Sequence, residues 1–487
     1  KLHWMLGEEY FTNDIGDRFG FLGKVDSIPP MDTVGVPVNL VLESDAPTGV
    51  VVFQNAKIIT MNGDEVIEDG TIVVEGNRII SVGPSQKVSF SRGAELIDAS
   101  GMTIMPGLVD AHAHMGTFRQ GQSPQKQPSY WANLAYGVTT THDPSSNTEM
   151  VFTQSEMVKA GHMVGPRIFS TGIILYGADG DFKAVINNLE DARSALRRTQ
   201  AYGAFSVKSY NQPRREQRQQ VIQTARELGM MVVPEGGSTF NHNMTQILDG
   251  HTTIEHNIPI APFYDDVVQL WAASGTAYTP THVVNYGSVS GEYYWYQKTN
   301  VWEKERLLTF MPRGPIDSRS RHRTMLPDEE YENGHILTSQ SDKKLVDAGV
   351  LVNTGAHGQL DGLAEHWELW MMAQGGMGNH NALKTATING AISLGLDESL
   401  GSLEVGKLAD IIVIDGDPLE DIYATENVKY TMINGRLYEA ETMQQILPEV
   451  QERPKFWWEL DGYDRRFEWH QASNSFMAPR CHCGHGH

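Results

Sequence analysis

Gly107-Leu108-Val109-Asp110-Ala111-His112-Ala113-His114 follows directly on the apolar run 102–105. Side chains alternate along a strand, so His112 and His114, at i and i+2, share one face. Two imidazoles on one face at a strand end are half a metal site, and such a pair alone is as often a packed or surface feature. The pair gains weight because metal-ligand residue types recur at the ends of later strand-like runs. Those runs end near His114, His142, Gly172, Tyr210, Glu235, His256, His282 and His357, with helical patterns such as 214–228 and 265–273 between them. Strand–helix alternation over roughly 290 residues fits a (β/α)8 TIM barrel, which takes about 250 residues plus insertions and carries its sites at the C-terminal ends of its strands.

Both flanks of this α/β middle read as β. Val50-Val51-Val52-Phe53, Thr71-Ile72-Val73-Val74 and Arg78-Ile79-Ile80-Ser81-Val82 are strand-like runs punctuated by Gly63-Asp64, Asp69-Gly70 and Gly76-Asn77. The pattern returns at 409–415 and 428–434, where Asn434-Gly435 signals a hairpin. The two ends are therefore expected to fold together as one small β-sandwich. The expected division is 1–101 for the N-terminal segment and first part of the sandwich, 102–395 for the barrel, 396–445 for the second part of the sandwich, and 446–487 for an extension.

The chain has 487 residues, 40% hydrophobic and 20% charged, as a globular protein does. Its 38 Lys+Arg stand against 60 Asp+Glu for a net charge of -22, which argues against nucleic acid or an anionic membrane as partner. No apolar run is long enough to span a bilayer. The chain opens at Lys1-Leu2-His3-Trp4, without Met and without a signal-peptide pattern, and reads as a processed chain or part of a longer polypeptide. Its two cysteines, Cys481 and Cys483, both sit in the tail, so the core needs no disulfide.

A segment of roughly 50 residues, 285–335, separates the seventh and eighth strands, and a loop of that length is usually functional or disordered. It holds Tyr293-Tyr294-Trp295-Tyr296, Trp302, Arg313, Arg319, Arg321 and Arg323. It reads equally as a lid with carboxylate-binding arginines or as a segment packed against a neighbouring subunit. The tail Cys481-His482-Cys483-Gly484-His485-Gly486-His487 has metal-binding residue types without the two-pair spacing of a structural zinc module, and reads as a flexible tail that binds metal adventitiously.

The chain resembles the amidohydrolase superfamily. The resemblance is carried by Pro106-Gly107-Leu108-Val109-Asp110-Ala111-His112-Ala113-His114, Gly137-Val138-Thr139-Thr140, Gly165-Pro166-Arg167, Ile254-Glu255-His256, Pro280-Thr281, Ala386-Thr387-Ile388-Asn389-Gly390-Ala391 and Gly401-Ser402-Leu403-Glu404-Val405-Gly406-Lys407-Leu408-Ala409-Asp410. It spans 50–440 and points toward prolidase-like and imidazolonepropionase-like members. Pro234-Glu235-Gly236-Gly237 also resembles a subgroup often fused to a Tol-type β-propeller, which makes residues 1–20 a candidate trailing end of such a propeller and tilts the expected location to the periplasm or outside the cell.

The resemblance implies two divalent metal ions, zinc by default, held by His112, His114, Lys208, Glu235, His256 and His357, with Lys208 carbamylated. The alternative for Lys208 is an unmodified side chain paired with an acid such as Glu235. Two positions depart from the family pattern: Glu235 stands where a His is expected on the fifth strand, and His357 where an Asp is expected on the eighth. Each loss has its complement at the other site, so the ligand inventory is unchanged, and the exchange reads as a permuted site rather than a dead one.

In relatives the eighth-strand Asp takes the proton from the nucleophilic water. Here the base is expected to be Glu235, using its free oxygen, with His357 as a ligand; His357 as base is the alternative. Tyr210, two residues beyond Lys208, is a candidate donor to the developing oxyanion, or a packed rim aromatic. His142 and His282 are candidates for supporting or substrate-facing groups, more simply rim hydrogen bonders, and His242 and His251 receive no role.

The implied activity is a metal-dependent hydrolase that cleaves an amide or peptide-like C–N bond by attack of a metal-bound hydroxide, on a small peptide or N-acyl amino acid. Rivals are hydrolysis of a cyclic amide, imidazolone, ester or lactone, and a non-catalytic barrel acting as a binding scaffold. A homo-oligomer is expected.

Overall fold

The computed structural model describes residues 1–460 apart from 24–26, 28–31, 33, 39, 117–125, 179, 181–182, 238 and 321–324. The Cys/His tail, Arg321 and Arg323 lie outside the described residues.

The middle of the chain is a parallel α/β layer of the TIM-barrel type. Leu108–Asp110, Val138–Asp143 and Arg167–Ser170 pair in parallel. Ser206–Ser209 pairs with Met231–Pro234, and Thr253–Glu255 with Ala277–Thr279, also in parallel. Tyr278 bridges in parallel to Val352. The Thr252 amide donates to Val232 O at 3.1 Å, and the Ala111 amide to Thr354 O at 3.1 Å, so the last segment returns to the first strand. Two short strands, Ile174–Tyr176 and Lys183–Val185, extend this layer beside Ser206–Ser209.

Val138–Asp143, Ser206–Ser209 and Thr253–Glu255 are buried along their length, as parallel strands covered on both faces must be. The helices between them are amphipathic. In Leu189–Ala201 the buried residues are Ala192, Ala195, Leu196 and Thr199, at helical spacing, and the Asn188 side chain caps the start by accepting from the Asp191 amide.

The two chain ends meet in one mixed sheet, ordered Gln445–Leu447, Arg436–Glu439, Val428–Ile433, Ile411–Ile414, Thr103–Pro106, Val50–Ile59, Val66–Glu75, Arg78–Pro84, with Glu95–Asp98 also paired to Val50–Ile59. Thr103–Pro106, read from the sequence as the lead into the first barrel strand, instead lies between strands from the two ends. The Asn434-Gly435 turn has φ of 51° and 75°, the left-handed pair that a tight hairpin takes. Leu2–Leu6, Glu9–Asn13 and Val36–Pro37 form a separate three-stranded sheet.

The segment 285–335 is not a structureless lid. Its described residues fold into Glu292–Lys298, Glu305–Phe310, Arg313–Ser320 and Asp328–Tyr331. Trp295, Tyr296, Val301, Leu307, Phe310, Ile316 and Tyr331 are buried. Trp295 packs edge-on to Trp370 at 5.0 Å and stacks on Trp367 at 6.4 Å. Aromatic burial of this extent holds a segment in place as part of the core. Among the described residues no helix is long and apolar enough to cross a membrane.

Candidate metal centre

The strand Leu108–Asp110 delivers His112 and His114 to the rim. The Asp110 carboxylate accepts from the backbone amides of His112 and Ala356, each at 3.1 Å, and so ties the first strand's end to the segment that carries His357. The His357 amide donates to His112 O at 2.8 Å. Gly358 lets this segment approach closely: a Cβ there would stand 2.5 Å from His114 O. His256 and His357 both have left-handed backbone, with φ of 69° and 55°. Such a conformation is uncommon outside glycine and concentrates where surrounding structure holds a side chain for a purpose.

These four histidines converge. His112 lies 5.2 Å from His114, 4.8 Å from His256 and 5.2 Å from His357 between ring centroids. His357 lies 4.7 Å from His114 and 5.1 Å from His256. Ligand atoms of His112, His114 and His357 all fall within 4.8 Å of one another. Burial holds His112 well below the usual imidazole range, lowers His256 and brings His357 down to about 2. Neutral imidazoles are the form that binds a metal. His112 Nε2 and His357 Nδ1 are buried without a hydrogen-bond partner. A buried polar atom left this way carries a desolvation cost that a coordinated cation removes.

Two neighbouring side chains orient these imidazoles. His112 Nδ1 faces Glu255 Oε2 at 2.6 Å, and His256 Nδ1 faces Thr281 Oγ1 at 2.7 Å. With the proton of His112 on Nδ1, Nε2 presents its lone pair to the cluster. Burial raises the Glu255 carboxyl to about 7.

Lys208 and Glu235 complete the floor. Lys208 Nζ lies 2.7 Å from Glu235 Oε2, and His256 Nε2 lies 3.0 Å from Glu235 Oε1. Neither Nζ nor Nε2 has the alignment of a hydrogen bond in these contacts. Burial opposes ionisation of Glu235, but the Lys208 ammonium and His256 outweigh it and hold the carboxyl well below the usual range. The Tyr286 hydroxyl donates to Glu235 Oε1 at 3.0 Å, and its ring stacks on His256 at 4.1 Å.

The sequence-predicted residues His112, His114, Lys208, Glu235, His256 and His357 are therefore brought together. Tyr210 stands at the rim, edge-on to Tyr176 at 5.5 Å, its phenol raised by burial and then by the Glu235 charge. His142 turns into the barrel, with Nε2 2.8 Å from Ser206 Oγ. His282 Nε2 pairs with Asp342 Oδ2 at 2.5 Å. His251 Nδ1 bonds Gln246 O at 2.9 Å, outside the cluster. Arg313 pairs with Asp317 at 3.3 Å and Arg319 with Gln359. Sequence reasoning missed Glu255, Thr281 and Tyr286 as site residues. Glu255 and Thr281 were visible inside the motifs around His256 and Pro280, whereas Tyr286 had no signal of its own.

The donor set is imidazole nitrogen plus carboxylate oxygen, which suits zinc and other first-row divalent ions. The orphaned nitrogens, the neutral rings and their convergence all fit a metal site.

Comparison with known proteins agrees with this geometry. A 5-methylthioadenosine/S-adenosylhomocysteine deaminase of Symbiobacterium thermophilum is 24% identical over 450 residues, covering 79% of this chain and 92% of that protein. An imidazolonepropionase of Sphingopyxis alaskensis is 24% identical over 425 residues, covering 76% of this chain and 93% of that protein. A Xaa-Pro dipeptidase crystal structure with bound methionine shares the fold at a TM-score of 0.62 and 23% identity, covering 80% of this chain and 100% of that one. A prolidase-like structure from Bifidobacterium longum superposes at a TM-score of 0.60 and 23% identity, covering 86% of this chain and 99% of that one. The sequence profile of the amidohydrolase family matches residues 103–438, well over half of the chain, and the protein belongs to that family.

Proposed function

We propose that this C–N bond hydrolase cleaves an amide or peptide-like bond in a small peptide or N-acyl amino acid, using two divalent ions, zinc in the first place. The observation that carries this reading is the convergence of His112, His114, His256 and His357 on one another, with His256 also against Glu235 of the Lys208–Glu235 contact. In this reading His112, His114, Glu235, His256 and His357 would hold the ions, together with Lys208 if it is carbamylated.

When bound, such ions lower the pKa of a coordinated water toward about 7 and polarise the scissile carbonyl. The chain's own residues supply the rest. Glu235 takes the proton of the attacking water and passes it to the departing amine. Tyr210, at the rim beside Glu235, donates a hydrogen bond to the carbonyl oxygen as it gains charge. Water adds across the C–N bond, leaving a carboxylic acid and an amine.

The aromatic rim of Tyr176, Tyr210 and Tyr286 favours a substrate with an apolar part. The relatives' names span deamination, imidazolone-ring opening and Xaa-Pro dipeptide cleavage, all C–N bond chemistry.

One observation favours a second reading. The Lys208–Glu235 contact at 2.7 Å is also the geometry of an ion pair between an unmodified lysine and a carboxylate. In that case a single ion would sit among His112, His114 and His357.

Elemental analysis of the purified protein, together with hydrolysis of Xaa-Pro dipeptides, N-acyl amino acids and imidazolones, tests both. Two ions per chain with turnover of peptides or N-acyl amino acids supports the first reading. One ion with Lys208 unmodified in a crystal structure supports the second, and turnover confined to cyclic substrates overturns the substrate assignment.

A further inference from the structure

We propose that Lys183, held against Tyr176 and Tyr210, is an anion-binding subsite at the mouth of the metal centre and receives the substrate's carboxylate; the inference rests on the amide-hydrolase reading given above.

The strand register places Lys183 at the rim. Lys183–Val185 pairs in parallel with Ile174–Tyr176, with Lys183 opposite Ile174, and Ile174–Tyr176 pairs in parallel with the strand that carries Lys208. Leu175 stands opposite Ser209, the residue after Lys208, so all three strands reach the ligand-bearing rim together. Adjacent strands lie about 4.8 Å apart, which sets Lys183 two strands, or about 10 Å, from the Lys208 strand. A long lysine side chain covers part of that gap.

Lys183 Nζ stands 4.6 Å from the Tyr176 ring centroid and 5.6 Å from that of Tyr210. The two rings meet edge-on at 5.5 Å, forming a corner that holds the ammonium. Tyr210 follows Ser209, whose carbonyl accepts the Glu235 amide at 3.1 Å, so Tyr210 and Glu235 close adjacent strands. The lysine thus sits one ring away from the carboxylate of the metal centre.

Among the described residues no carboxylate lies within ion-pair distance of Nζ, whereas Arg313 and Arg319 in the helical insertion are engaged with Asp317 and Gln359. Ring faces stabilise an ammonium without accepting its N–H groups in directed hydrogen bonds, so those donors stay available to an anion. In a chain of net charge -22, a half-buried cation with aromatic partners and, among the described residues, no paired acid is suited to an anionic ligand beside a hydrolytic centre. An amide bond over the metal centre and a carboxylate at Lys183 is the layout of an N-acyl amino acid or a dipeptide.

The test compares glycyl-L-proline and N-acetyl-L-methionine with their C-terminal carboxamides, in wild type, K183M and K183R. Wild type is expected to show a KM for the free acids about 10- to 100-fold below that for the carboxamides, the scale of one charge-assisted contact. K183M is expected to collapse that ratio toward one, and K183R to retain part of it. The ratio within one protein sample does not depend on the fraction folded. Equal KM values in wild type, or an undiminished ratio in K183M, would overturn the proposal.

If neither compound is hydrolysed, the substrate reading fails, and calorimetric binding of N-acetyl-L-methionine and its carboxamide to the zinc-loaded protein decides the subsite. Tighter binding of the acid, lost in K183M, supports it. Equal binding of the two compounds, or none, overturns it.

Discussion

Glu235 touches Lys208 with one carboxylate oxygen, at 2.7 Å, and His256 with the other, at 3.0 Å. The residue that departs from the family's histidine is therefore in the same place that a ligand would occupy, between the lysine and a ligand histidine. Tyr286 adds a hydrogen bond to the oxygen on the His256 side. On the proposed reading a carboxylate so placed would serve as ligand and base together, which the neutral amide of glutamine does not.

Glu235→Gln keeps the shape and removes the charge. It is expected to lower kcat at least about 100-fold, the scale of a lost general base, and to reduce bound metal as well. Steady-state kinetics with metal analysis on the same sample checks this. A variant with full metal content and wild-type kcat would move the base elsewhere, with His357 the first candidate.

Glu255 acts through His112. Its carboxylate faces His112 Nδ1 at 2.6 Å deep in the interior. Glu255→Leu leaves that nitrogen without an acceptor and frees the ring to turn. Metal affinity is expected to fall about 10- to 100-fold, as for other groups that orient a ligand histidine, while Glu255→Gln retains most of it. Competition with a chelator measures both, and equal affinity in Glu255→Leu would contradict the role.

Helical packing of 285–335 has its own test. Trp295 is buried against Trp367 and Trp370. Trp295→Ala is expected to cost about 3–5 kcal/mol of stability, the range for a buried aromatic truncated in a core. Denaturant unfolding reads it. A cost below about 1 kcal/mol accompanied by a change in KM alone would restore the lid that the sequence suggested.

Acid is expected to destabilise the fold through histidines outside the metal centre. Burial lowers His251 and His335 to about 4 and His366 to about 3. Each folded value lies below the unfolded value of about 6.5, so between them the unfolded chain binds more protons. The stability is present above about pH 6.5 and is lost as pH falls toward the folded values, roughly 2 kcal/mol per histidine by pH 5. His366→Gln removes one such group. Relative to wild type it is therefore expected to be less destabilised at pH 5 than at pH 8 in guanidinium melts. A constant difference would contradict the linkage.

Much of the site was legible because strand parity and ligand chemistry act locally. His112 and His114 share a face by alternation, and Lys208, Glu235, His256 and His357 each close a strand-like run. Glu255 was not legible as a partner of His112, because alternation sends it to the face opposite His256. The left-handed backbone at His256 breaks that alternation and lets both residues address His112. Tyr286 lies just past the seventh strand, in a segment whose helices are too short to show a period. For the same reason the insertion read as a loop. The four apolar residues of Thr103–Pro106 suit either a barrel strand or the shared sheet, and only long-range pairing with Ile411–Ile414 decides between them.

A crystal structure with anomalous scattering recorded at the zinc edge tests the central claim most directly. The account predicts two peaks about 3.5 Å apart, bridged by a carbamylated Lys208 and touching Glu235 and His357. One peak among His112, His114 and His357, with an unmodified Lys208 still paired to Glu235, would contradict it.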